Sequence, residues 1–282
     1  FQAETLRVHA TYLQDQLSFS ASLIETTQTR FSHEIHTSHQ HVQTCAMPIK
    51  NNPIRLKPLP QPDRLEITPS VCLLTDDGTA TTTHVAEALQ TLGWSVVILQ
   101  FPPSIIAQQT SVIEDVSYIM LKSMEEKHLQ EQLAALSNSI GSFIYLHPPF
   151  LLSNGIDACF SETEKSLIKS VFFMAKYLKD TFTPFDQNSR HSFMTVARLN
   201  GQLGLGKETT YSPLAGGLFG LTKSLNLEWP SVFCRAVDLA PSLNAHQMAS
   251  CLIDELYDPD LQTVEVAVGP EGRFSLILQE QE

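Results

Sequence analysis

The sequence predicts an α/β fold: a doubly wound, Rossmann-like parallel sheet with a C-terminal hairpin, preceded by an N-terminal helix and a Pro-rich linker. Three observations carry this. From Ser70 onward, strand-length apolar runs alternate with helix-length amphipathic ones. The runs are apolar along most of their length, as strands are when helices cover both faces of a sheet. The last two strands are separated by only Pro270-Glu271-Gly272, a hairpin-type turn.

The elements follow in order. Residues 1–47 are polar, with Leu6, Leu13, Leu17, Ile24 and Phe31 at mixed heptad spacings. That pattern predicts an amphipathic helix, read as a helical interdomain segment. Residues 48–69 carry Pro48, Pro53, Pro58, Pro60, Pro62 and Pro69. Prolines at this density forbid a helix and predict an extended linker, so the domain boundary is placed here. The domain proper is 70–282. Its expected strands are 71–75, 94–101, 115–121, 142–147, 191–199, 232–240, 263–269 and 273–279. Its expected helices are 82–92, a segment ending at Leu136, 161–178, 214–228 and 245–256. Gly93 ends the first of these helices. Right-handed crossovers between parallel strands then set helices on both faces.

Composition narrows the function. With 282 residues and 43% hydrophobic content, the chain can bury the core of one large domain plus an appendage. A net charge of −12 argues against nucleic acid or an anionic membrane as partner. No apolar run approaches the roughly 20 residues of a bilayer span. The start has no basic n-region and apolar h-region, so no signal peptide is expected. The chain begins at Phe1 rather than Met, and is expected to be a piece of something longer. Cys45, Cys72, Cys159, Cys234 and Cys251 are scattered without a CxxC, which fits reduced thiols in a cytoplasmic protein. Cys72 and Cys234 fall in strand-like runs, where cysteine serves as a small hydrophobe.

The first strand-to-helix loop is Thr75-Asp76-Asp77-Gly78-Thr79-Ala80-Thr81-Thr82. A dinucleotide site needs glycines here, so that the turn is tight and backbone N–H groups close on the pyrophosphate. Gly78 alone remains, and Asp76 and Asp77 occupy the approach. Like charges about 4 Å apart repel by about 1 kcal/mol in water, and by about four times that at an effective dielectric of 20. The two carboxylates are instead expected to cap the helix and complement its dipole. A metal or Mg-nucleotide site at Asp76 and Asp77 is the weaker alternative.

Other constellations read as structural. His33, His36, His39 and His41 with Glu34 suggest a surface metal site, but on a polar segment without fixed supporting groups. No metal ligands are assigned. His147 reads as a turn residue before Pro148 and Pro149. GQLGLG at 201–206 follows a late strand without opening a helix at once, and reads as a flexible loop rather than a phosphate cradle. GGLFG at 216–220 lies within a helix and allows close packing.

The stretch YSPLAGGLFGLTKSLNLEWP, Tyr211 to Pro230, resembles the active-site helix of short-chain reductases. In that family a tyrosine is the general acid of Tyr-x-x-x-Lys, the lysine lowers its pKa, and a serine on the preceding strand polarises the carbonyl. A free tyrosine, with a pKa near 10, is poorly matched to neutral pH. Here the lysine position holds Ala215, and the strand offers Thr195, Val196, Ala197 and Arg198, with Arg198 near the serine position. Tyr211 is therefore read as a packing and hydrogen-bonding residue.

Three runs carry a narrower resemblance: LLTDDGTATTTHVAEALQTLGWSVVIL, TVARLNGQLGLG and LAGGLFGLTKSLNLEWPSVFCRAVDLAP. Together they resemble the N-terminal, structural half of the β-ketoreductase of multidomain polyketide and polyunsaturated fatty acid synthases. The likeness covers residues 70–280, about three quarters of the chain. It implies a silent Rossmann-like half that has lost its cofactor loop and catalytic residues. The catalytic half, with NADPH, serine and tyrosine, would follow in the same polypeptide and reduce a β-ketoacyl thioester held on an acyl carrier protein. No TGGxGG-like loop occurs before Glu282, so that half is expected outside this chain. Modular ketoreductases often carry the lysine on the earlier helix. This makes Lys169, paired with Tyr211, the alternative active reading. A third reading is a module that docks a carrier or a neighbouring domain.

Overall fold

The computed structural model describes residues 53–136, 140–151, 161–182, 190–206 and 211–278. They belong to a compact unit running Asn51–Glu282. The helix expected in 1–47, the histidines from His33 to His41, and Cys45 and Cys159 lie outside the described residues.

Nine strands form one sheet: β1 (Ile54–Leu59), β2 (Val71–Thr75), β3 (Ser95–Gln100), β4 (Ser117–Met120), β5 (Ile140–Leu146), β6 (His191–Ala197), β7 (Val232–Leu239), β8 (Glu265–Gly269) and β9 (Gly272–Leu278). Among the described residues, five α-helices accompany them: α1 (Ala80–Thr91), α2 (Glu126–Ala135), α3 (Glu162–Leu178), α4 (Gly217–Glu228) and α5 (Ala245–Leu256). The spatial order is β1-β9-β8-β7-β6-β5-β2-β3-β4. Strands β2 to β8 pair in parallel, while β8–β9 and β9–β1 are antiparallel. From β2 the chain winds outward through β3 to β4, then returns to lay β5 on the other side of β2. The switch point of the fold is therefore the crevice between the ends of β2 and β5.

Both faces of the parallel strands are buried, which explains their unbroken apolar runs. Successive side chains of a strand point to opposite faces. Leu74 of β2 joins Val85, Leu89, Ile144, Leu252 and Ile253 on the α1–α5 side. Its neighbour Leu73 joins Phe143, Phe193, Leu129, Leu167 and Leu218 on the α2–α3–α4 side. Cys72 and Cys234 pack within these cores, and burial pushes both thiols up to about 12. They remain protonated and act as small apolar groups, as expected.

The Pro-rich stretch requires a correction. Expected as a linker, it supplies β1, which pairs with β9 from Ile54↔Leu278 to Leu59↔Arg273. Proline lacks an N–H and is tolerated in a sheet at an edge, where Pro58 sits. Arg55 and Lys57 add charge to the same outermost strand, which discourages further edge pairing. The helix expected from Leu214 begins instead as a 3₁₀ turn, Pro213–Gly216, before α4. Ser212 starts it, its Oγ accepting from the Leu214 N–H. At α5 the reciprocal Asn244–Gln247 capping box fixes the start.

Candidate functional site

The carboxyl ends of the strands around the switch point gather the polar residues singled out in the sequence. Asp76 and Asp77 follow β2, His147 follows β5 and Arg198 follows β6, all at least 93% buried.

Asp76 accepts the N–H groups of Gly78 and Thr110, each at 2.9 Å, and the Gln100 amide at 3.1 Å. The Thr110 hydroxyl also donates to it. Asp77 accepts from the Thr79 N–H at 2.9 Å, from the Thr82 hydroxyl at 2.8 Å, and from Arg198 Nη2 at 2.6 Å. Arg198 also donates to Thr81 Oγ1 at 3.1 Å and to the His147 carbonyl at 3.2 Å. One guanidinium thus ties β6 to the β2 loop and the β5 turn.

This arrangement corrects the expected capping. The N-cap of α1 is Thr79, whose Oγ1 accepts from the Thr81 N–H at 3.2 Å. Asp77 is drawn to the buried Arg198 guanidinium and Asp76 to neutral buried donors instead, bonds that offset their desolvation. Gly78 has φ +73°, a conformation glycine adopts without steric cost. A Cβ on it would lie 2.6 Å from the Gln108 carbonyl oxygen and 2.8 Å from Ile106 Cγ2. The open side through which a glycine loop would meet a pyrophosphate is therefore covered by the segment after β3.

His147 is not a simple turn residue. Its ring links the Tyr145 hydroxyl at 3.1 Å to the Glu164 carboxylate at 3.2 Å, all three fully or nearly fully buried. Burial, reinforced by the Glu164 charge, pushes the Tyr145 phenol well above its ordinary range. Beside this chain is a cavity of about 10 Å³, bounded by His147, Phe150, Glu164, Arg198, Tyr211 and Ala215. That is room for a single water molecule.

Tyr211 is half-buried and forms an isolated antiparallel bridge with Leu151. Among the described residues, its hydroxyl has no hydrogen-bond partner. Ala215, at the lysine position, is 2% exposed and packs with Leu199, Phe219 and Ala236. Lys169 lies on the exposed face of α3, with Nζ 5.5 Å from the Phe173 ring centroid. It borders a surface groove with Met124 and Glu126, not the Tyr211 cavity. The structure brings Tyr211, Ala215 and Arg198 together, and leaves Lys169 elsewhere.

The GQLGLG loop also departs from expectation. Rather than hanging free, its backbone wraps the buried carboxylate of Asp238. Leu199 and Leu203 donate N–H bonds of 2.7 and 2.8 Å, and Gln202 one of 3.1 Å. Gly201, at φ +69°, permits the wrap; a Cβ there would fall 2.6 Å from Ala240 Cβ. Burial pushes the Asp238 carboxyl above its usual range, against the pull of the surrounding backbone N–H groups. This is a cradle for an anion, filled by the chain's own carboxylate.

Sequence reasoning missed the pairing of Arg198 with Asp77, the Glu164–His147–Tyr145 chain and the Asp238 cradle. A signal existed for the last: a charged residue inside the apolar run VFCRAVDLA must find buried partners. Among the described residues, no group of His, Cys, Asp and Glu could hold a metal ion.

No protein-family model matches the chain. Among solved structures it is similar to a short-chain dehydrogenase from Burkholderia cenocepacia in complex with NADP, with TM-score 0.56 and 12% identity over 73% of this chain and 91% of that one. The chain has the short-chain dehydrogenase fold. The chain also matches an adenylation, ketoreductase and pseudo-Asub multidomain structure of a nonribosomal peptide synthetase module, with TM-score 0.61 and 12% identity over 92% of this chain and 20% of that one. A third match is the 3-ketoacyl-(acyl-carrier-protein) reductase of Brucella melitensis, with TM-score 0.51 and 16% identity over 67% of this chain. In sequence it is 25% identical over 203 residues to a polyunsaturated fatty acid synthase polypeptide from a Thraustochytrium species. That stretch is 70% of this chain but 7% of the relative's length.

Proposed function

We propose that this chain is the non-catalytic structural half of a ketoreductase within a polyketide or fatty acid megasynthase. In this reading it braces a catalytic half in the same polypeptide. That half holds NADPH and reduces a β-ketoacyl thioester presented by an acyl carrier protein domain, in a cytoplasmic enzyme. The observation that carries the reading is the buried Asp77–Arg198 pair, 2.6 Å long, lying across the dinucleotide approach at the switch point. Gly78 is covered, the cavity beside Tyr211 is about 10 Å³, and Ala215 stands where a lysine would tune Tyr211. These residues do not fit a dinucleotide, and no hydride or proton transfer is assigned to them. The rival reading, Tyr211 with Lys169, would need a lysine at the site that the exposed face of α3 does not deliver.

An NADPH fluorescence titration tests the proposal, on this chain alone and on one extended by the next 200 or so residues. The expected result is no binding by the chain alone, with binding and reduction of a β-ketoacyl thioester by the extended protein. Micromolar binding by the chain alone would overturn it, and Tyr211→Phe and Lys169→Ala would then be the variants to examine.

A further inference from the structure

We infer that the cavity at the amino ends of β6 and β7 binds a small carboxylate with an apolar body, held by Arg190. The cavity, about 530 Å³, lies where Arg190 precedes β6 and Pro230 to Phe233 lead into β7. This is the end of the sheet opposite the Asp77–Arg198 pair, so the inference stands apart from the bracing role. The volume is that of an ordinary small-molecule pocket. Leu65, Phe233 and Leu261 give it apolar walls, and Leu65 and Leu261 are 43% and 64% exposed. Asn226 of α4 and Ser231 add polar groups. Glu66 also lines it, exposed, and among the described residues forms no ion pair with Arg190.

Charge balance selects the ligand. Arg235 and Arg273 share the carboxylates of Glu255 and Asp258. Asp260 spends its carboxylate on the Thr263 hydroxyl and the Gln262 N–H. Arg190 adjoins this cluster as a third cation. Its Nη1 donates to the Asp258 backbone carbonyl at 2.6 Å, and no carboxylate among the described residues pairs with it. Its Nε and Nη2 are buried and have no hydrogen-bond partner. These two N–H groups share one edge of the guanidinium fork, an edge that matches both oxygens of a carboxylate. A buried cation short of acceptors is costly. Burial, with the like charge of Arg235, pulls the Arg190 guanidinium down to about 10. The Phe233 ring centroid lies 3.4 Å from Arg190 Cζ and fixes the plane of the fork. Stacking holds that plane but not rotation within it, so the fork can turn its free edge to the cavity. A ligand carboxylate would supply the missing acceptor, while the leucines and Phe233 would cover its apolar body.

The test is calorimetric titration of this chain with hexanoate and octanoate, against hexanamide and inorganic phosphate, in the parent and in the variants Arg190→Gln and Leu261→Asp. Expected are one-to-one binding of both carboxylates with a millimolar or lower Kd, and a tenfold or greater weakening for hexanamide, for phosphate and for either variant. Leu261 is exposed, so Leu261→Asp leaves the fold intact and keeps the test decisive where Arg190→Gln fails to fold. Circular dichroism checks both variants. Absence of carboxylate binding by the folded parent would overturn the inference. Hexanamide binding as tightly as hexanoate would do so too, by removing the Arg190 charge from recognition. Phosphate binding as tightly as hexanoate would make this a site for a bare anion, and overturn it as well. Unchanged carboxylate binding in folded Arg190→Gln, or in Leu261→Asp, would place the ligand elsewhere and equally overturn it.

Discussion

Arg198 and Asp77 stand 121 positions apart in the chain and meet at 2.6 Å. Each is buried, and each is charged. Removing one partner strands the other in a low-dielectric site, which typically costs about 3–5 kcal/mol. We therefore expect Arg198→Met to lower the unfolding free energy by about that amount, measured by urea denaturation. Asp77→Asn should cost a similar amount, and the double variant less than the two together, because the second change removes a charge the first left unpaired. Additive costs would mean that the two side chains do not act as a unit. This pair was only half legible beforehand. The sequence shows two acids where glycines belong and an arginine where a serine belongs. Nothing in it says that these two departures compensate each other.

At the scale of elements, α2 and α3 are joined by Glu126, which accepts from the Lys176 ammonium and the Tyr177 hydroxyl, each at 2.8 Å. These bonds hold the Glu126 carboxyl below the usual glutamate range. A carboxylate so lowered contributes stability above the ordinary value, about 4.3, and loses it as pH falls through the lowered one. Glu126→Gln should accordingly lower Tm at pH 7 by at most about 2 °C, the scale of an exposed ion pair, and by less at pH 3. A drop of equal size at both pH values would assign the effect to lost packing. The elements themselves were largely readable. β2 and α5 have the limits that the apolar runs and flanking signals predicted, Val71–Thr75 and Ala245–Leu256. β1 was not readable, because its prolines carry the local signature of a linker. Its strand conformation depends on β9, more than 200 residues later in the chain.

Across the whole molecule, a buried ionic cluster fastens the antiparallel ribbon to the parallel sheet. Arg273 of β9 bonds Glu255 at the end of α5, the Asp258 carboxylate and the Pro60 carbonyl. Arg235 of β7, fully buried, shares Asp258 at 3.0 Å. Arg273→Met is expected to cost about 3–5 kcal/mol. It should also raise amide exchange in β1 and β9 before it does so in β5 and β6. Uniform acceleration across the sheet would show that the ribbon is not a separate opening unit. Helix faces and core composition were open to sequence reasoning, since periodicity records burial directly.

The sequence by itself determined the α/β class, the alternation of strands and helices, the loss of glycines from the first loop and the lysine missing four residues after Tyr211. These are local properties: hydrophobic period, backbone permissiveness and residue identity at a fixed offset. Only the tertiary structure decided what fills the vacated cofactor approach, what the Gly201 loop encloses, and where Lys169 points. It also decided that a proline-rich segment ends as an edge strand. Each of these depends on a partner distant in the chain, and pairings between distant residues leave no period in a single sequence.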